Sequence, residues 1–115
     1  MQKHKLTPSE ELRQHLTGKS EFQFPIGLIA TNDSILDIIV KDETFDDFVW
    51  ASFSRHCTCD WGDINEERRE ANDTATKIGG CLVSEYTHPK YGKLRILTEN
   101  QTVIGLLDDF DVSDC

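Results

Sequence analysis

Apolar residues recur at helical spacing between residues 44 and 56. Phe45, Phe48, Val49 and Phe53 fall at i, i+3, i+4 and i+8, which puts four large side chains on one helix face. Thr44, with Asp47 three residues on, is the predicted start, and the helix is expected to end near His56. This segment should be the main helical contribution to the core. The turn Lys41-Asp42-Glu43 precedes it. Before that, Ile35, Ile38 and Ile39 follow the cap-forming run Thr31-Asn32-Asp33-Ser34 and predict a short helix. Residues 22–30 carry apolar side chains at even positions and read as a strand. Pro25 cannot donate to a ladder and belongs at the beginning of that strand or at a sheet edge.

After residue 62 the pattern thins and then changes period. Asp63 as cap and Glu66 as its box partner predict a third helix running to Gly79-Gly80. Its apolar positions are few: Ile64, Ala71, Ala75 and Ile78. A helix this polar should lie on the surface and touch the core along one narrow line. Three alternating segments close the chain. Residues 81–86 place Leu82, Ser84 and Tyr86 on one face, and residues 93–98 place Leu94 and Ile96 inward. Residues 102–107 return after the tight turn Glu99-Asn100-Gln101. Helices followed by a strand meander predict an α+β fold. Its helices would pack on one face of a small antiparallel sheet, formed by the N-terminal strand and a C-terminal three-stranded meander.

Thr7, Pro8 and Glu10 form a helix start, with Leu12 and Leu16 as a narrow apolar stripe and Gly18 as a stop. Residues 1–21 are therefore expected to be a helical appendage, residues 22–110 a single α+β domain, and residues 111–115 an acidic tail.

Charge alters this picture more than composition does. The 115 residues are 37% hydrophobic and 29% charged, with a formal net charge of −9. Residues 1–22 hold four bases against three acids, whereas residues 23–115 hold eight against eighteen. Such a body repels phosphate at long range, so direct nucleic-acid binding is not expected, while a protein partner with a basic surface is. No apolar run approaches the ~20 residues needed to span a bilayer. The first residues lack the apolar core of a signal peptide, so the expected setting is the cytoplasm, with reduced thiols and no membrane.

The cluster His56-Cys57-Thr58-Cys59 is the first to weigh for metal or nucleophile chemistry. Zinc sites bring together two spaced ligand pairs, and here Cys81 and Cys115 stand alone, so no metal or other cofactor is expected. Phosphate-loop, dinucleotide and nucleophile-elbow motifs are missing, and no catalytic residue is assigned. Trp61, between Asp60 and Gly62-Asp63, is more informative. Either its ring lies over the core and locks the turn, with its N–H bonded to an acid or carbonyl, or it is an exposed anchor of the kind enriched at interfaces. In the second case Asp60, Asp63, Glu66 and Glu67 would ring it for a basic partner.

Asp60-Trp61-Gly62-Asp63, followed by Glu66, Glu67, Arg68 and Asn72, resembles a family of small bacterial proteins described only as plasmid-related or of unknown function. They are carried on plasmids and integrative elements. The resemblance covers about residues 26 to 110, through Ser54-Arg55-His56, Leu82-Val83-Ser84-Glu85-Tyr86 and the strand from Gly92 to Glu99. The chain departs from the family at Thr98-Glu99-Asn100-Gln101, which lacks an arginine, and at Leu107-Asp108-Asp109-Phe110. The Cys57/Cys59 pair is also no regular family feature. The resemblance implies a mobile-element setting, where proteins often manage host defence or plasmid transfer. The expectation is a non-enzymatic, acidic interaction protein that binds and modulates a host or element protein. That target could be a nucleic-acid-binding defence component such as a CRISPR or restriction effector. The rivals are a small cysteine-dependent or redox enzyme using Cys57 and Cys59, and a zinc-stabilised module.

Overall fold

The computed structural model describes residues 24–110. The predicted helix near Thr7 and the last five residues lie outside them. Three helices and four strands form an α+β domain in the order β1 (Ile29–Thr31), α1 (Asp33–Lys41), α2 (Glu43–Cys57), α3 (Glu66–Ile78), β2 (Leu82–His88), β3 (Gly92–Glu99) and β4 (Gln101–Leu106), closed by a single 3-10 turn (Leu107–Asp109). Among the described residues no helix is long and apolar enough to cross a membrane.

The sheet order is β1-β4-β3-β2. The three C-terminal strands form the expected antiparallel meander, but β1 joins β4 in parallel, with Ile29 opposite Thr102 and Thr31 opposite Ile104. The sheet is therefore mixed. The N-terminal strand is also much shorter than the alternation of residues 22–30 suggests. Gly27 has φ +62, and a side chain there would run into the Asn100 carbonyl. This left-handed residue turns the chain and reverses the alternation. Phe24 is buried and Leu28 is exposed, while Ile29 faces the core.

One face of the sheet carries the core. Ile35 of α1 and Phe45, Val49, Phe53 and Cys57 of α2 pack on Tyr86, Leu94, Ile96 and Ile104. Each large side chain buried this way stabilises the fold by about 1.5–3 kcal/mol before its entropy cost. The stripe of α2 is the one its spacing predicts, except that Phe48 is only partly buried. Asp42 caps α2, accepting from the Thr44 backbone N–H at 3.0 Å, two residues ahead of the expected start.

The third helix departs most from expectation. Its cap is Asn65, which accepts from the Arg68 N–H at 2.7 Å, and not Asp63. Ala75, with Ile64 just before the helix, packs on the Phe24, Trp61 and Leu82 cluster as expected. Ile78, however, is 77% exposed and Ala71 faces solvent, and the rest of the inward side is polar, with Asn72 fully buried and Arg68 partly so. α3 lies along the outer edge of β2, held by hydrogen bonds more than by apolar contact. The Asn72 amide donates to the Val83 carbonyl at 2.7 Å and accepts from the Val83 N–H at 3.1 Å. Arg68 donates to the Cys81 carbonyl at 2.8 Å. An edge strand with free N–H and C=O groups invites pairing with other chains, and here that edge is occupied from within the same chain.

The C-terminal segment is anchored as far as Phe110. Asp109 accepts hydrogen bonds from the Ser34 hydroxyl and from the Leu106 N–H, and the Arg95 guanidinium lies over the Phe110 ring.

Candidate functional site

The segment from Arg55 to Asp63 is built by two residues with left-handed backbone. α2 ends at Cys57, and Cys59, at φ +68, reverses the chain so that the Asp60 N–H reaches back to the Arg55 carbonyl at 2.8 Å. Gly62, at φ +75, then lets the main chain lie against β2. A side chain at Gly62 would overlap the Glu85 carbonyl and the Tyr86 ring. The Glu85 N–H donates to the Trp61 carbonyl at 3.2 Å and the Asp63 N–H to the Glu85 carbonyl at 2.7 Å, a one-residue parallel bridge.

This geometry assigns separate roles to the five residues singled out in the sequence. Trp61 is 1% exposed, its ring against Phe24 and His56 and its N–H donated to Asp73 at 3.3 Å. It locks the turn over the core, so the exposed-anchor alternative does not fit: a ring this buried offers no surface contact. Asp60 holds a two-pronged bond with Arg55 at 2.7 and 3.1 Å, which pulls its carboxyl below the usual carboxylate range. Asp63 accepts from the Thr87 hydroxyl at 2.8 Å and from the Thr87 N–H at 3.2 Å, finishing the seal along β2. Glu66 and Glu67 point outward. Glu66 is 76% exposed with Arg69 at 3.8 Å, and Glu67 has no cation partner among the described residues. Glu70, one turn beyond Glu66, extends the same face and is likewise exposed; its i, i+4 spacing from Glu66 is the signal that could have found it.

His56 and the cysteines sit in a different environment from a reactive site. The His56 ring is fully buried and hydrogen-bonded on both nitrogens, to Ser84 through Nδ1 and to Thr98 Oγ1 through Nε2 at 2.9 Å. Thr98 and Thr102 hydroxyls are 2.8 Å apart, and Thr102 donates to the Ile26 carbonyl at 2.8 Å. Because a carbonyl can only accept, the links from Ile26 to His56 Nε2 have a fixed direction, and the Ser84 link follows from a neutral ring. Thr102 donates to Ile26, Thr98 to Thr102, His56 Nε2–H to Thr98, and Ser84 to His56 Nδ1. Burial disfavours a second ring proton and holds the His56 pKa down to about 3.

Burial pushes the Cys57 thiol up to about 12 and raises that of Cys59 as well. Both are free thiols. Among the described residues no three His, Cys, Asp or Glu side chains converge as a metal site would require.

Comparison of the chain with protein-family models, with curated proteins and with solved structures finds no match.

Proposed function

We propose that this is a non-enzymatic interaction protein that uses the outward side of α3 to bind a protein with a basic surface. The observation that carries this is the division of carboxylates around the Asp60–Asp63 turn. Asp60 and Asp63 are committed to Arg55 and Thr87, while Glu66, Glu67 and Glu70 form an exposed face on a helix whose other side is fixed to β2. A carboxylate face on a preformed helix presents charge with no backbone left to order, which favours fast, salt-sensitive association. Residues 24–110 as a whole hold eight bases against sixteen acids, so the long-range field points the same way. Such a face can occupy a groove that otherwise takes nucleic acid, and the mobile-element resemblance makes a defence component the partner class to test first. The cysteine-enzyme alternative has less support, since activated nucleophiles need a lowered thiol pKa and both free thiols here are raised.

The test is capture of partners by the wild-type chain and by a Glu66→Lys, Glu67→Lys double variant, at low and high salt. A nucleic-acid-binding protein held by the wild type, released by salt and not held by the double variant supports the proposal. Equal capture by both chains overturns it. Trp61 is left intact, because its replacement would report on folding.

A further inference from the structure

The sheet has a second face, opposite the apolar core, and it carries an unusual charge arrangement for so acidic a chain. Between α3 and strands β2 and β3 lies a cavity of about 380 Å³. Its charged lining is Arg68, Lys93 and Arg95 against Asp63 and Glu85, with Asn65, the cap of α3, in the wall. Three of the eight bases in residues 24–110 thus meet in one place.

The two carboxylates offset the three cations only in part. Asp63 is turned to Thr87, and Glu85 already serves two cations, Arg95 at 2.6 Å and Lys93 at 3.5 Å. Arg68 has no carboxylate partner among the described residues. Its bonds go to two neutral oxygens, Asn72 Oδ1 at 3.3 Å and the Cys81 carbonyl at 2.8 Å. It is partly buried, and it lies close enough to Arg95 that their like charges repel. A guanidinium withdrawn from water, facing a second one and lacking an anion, is a position that an oxyanion would relieve. The start of α3 in the wall adds the positive end of a helix dipole.

We infer that this cavity binds the phosphate group of a small molecule, held by Arg68, Arg95 and Lys93. Arg68 already uses Nε and one terminal nitrogen on Asn72 and Cys81, and Arg95 uses the same pair on Glu85. Each therefore has only its remaining terminal N–H groups to offer phosphate oxygens, with the Lys93 ammonium beside them. The cavity is larger than a phosphate ion, and Ile64 and Val83 line it beside the cations, offering an apolar wall for the rest of the molecule. This site is on a different surface from the Glu66/Glu67 face and stands or falls separately from it.

The experiment is an NMR titration of the whole chain with inorganic phosphate and with ribose 5-phosphate, using sodium chloride at matched ionic strength as the reference. The expected result is saturable movement of the Arg68 and Arg95 Nε–H signals with both phosphates and not with chloride. Lys93→Gln, at a partly exposed rim position, should weaken binding about tenfold. Arg68→Gln should abolish it, but that variant also loses the bond to Cys81, so Lys93→Gln decides if Arg68→Gln fails to fold. Shifts that never saturate, that chloride reproduces, or that keep the same affinity in Lys93→Gln overturn the inference.

Discussion

The side-chain amide of Asn72 pairs with both main-chain groups of Val83, taking the place that the backbone of a fifth strand would fill. Both partners are buried, so the bonds are dry and no water can replace them. Asn72→Ala should lower stability by about 2–4 kcal/mol, because it strands a buried N–H and a buried C=O together. Asn72→Asp should also destabilise, since it keeps an acceptor for the Val83 N–H but places an acceptor against the Val83 carbonyl. Urea denaturation of the three proteins checks both statements.

His56 should make stability depend on pH in a window set by its own titration. Its folded pKa, about 3, lies below the ordinary 6.5. As pH falls through the ordinary value, the unfolded chain takes up a proton that the folded chain refuses, so unfolding is favoured. The stabilising contribution is complete above pH 6.5 and is lost progressively towards pH 3, at about 1.4 kcal/mol per unit. His56→Gln should remove one proton's worth of slope between pH 6 and roughly 4.5, where most carboxylates are still ionised. Denaturation curves across that range compare the two chains. Imidazole ¹⁵N spectra should show a neutral, Nε2-protonated ring throughout, and a charged ring at pH 5 would contradict the neutral state assigned to its burial.

Trp61→Ala should cost about 3–5 kcal/mol, the range for emptying a buried aromatic site. Trp61→Phe keeps most of the packing against Phe24 and His56 and forfeits the bond to Asp73, for a loss of about 1 kcal/mol. Thermal unfolding distinguishes the two. Near-wild-type stability in the alanine variant would mean that the ring does not hold the turn.

Cys57 should resist thiol reagents in the folded state. It is 2% exposed and its thiolate is strongly disfavoured, so labelling should follow global unfolding, while Cys59 reacts first and slowly. Mass spectrometry after limited labelling, with and without denaturant, gives the order. Fast native labelling of Cys57 would revive the nucleophile alternative.

Much of this architecture is legible in the chain because it rests on periodicity. The stripe Phe45, Val49, Phe53 and the inward pair Leu94 and Ile96 follow from spacing alone. The parts that were not legible depend on polar atoms finding distant partners. Nothing local marks Asn72 and Arg68 as the inward side of α3, since the group that satisfies Asn72 lies eleven residues away. Asp63 has the chemistry and spacing of a cap but is captured by Thr87, which leaves the role to Asn65. Gly27 reverses the alternation only because Asn100 stands beside it in the fold. Trp61 had two physically sound readings, and only the position of Phe24 and His56 distinguishes them. The Arg68, Lys93, Arg95 group combines a helix with a strand and has no sequence signature at all.

The parallel pairing of β1 with β4 has a consequence for biosynthesis. Among the described residues, the strand made first finds its ladder only in the strand made last, with three helices between them in the chain. On a ribosome, residues up to Glu99 can form helices and a hairpin but cannot fasten Ile29–Thr31, whose neighbour has yet to emerge. Folding of this domain is therefore completed after synthesis of β4, and a nascent chain stalled before Gln101 should be as open to protease as an unfolded one around residues 24–31.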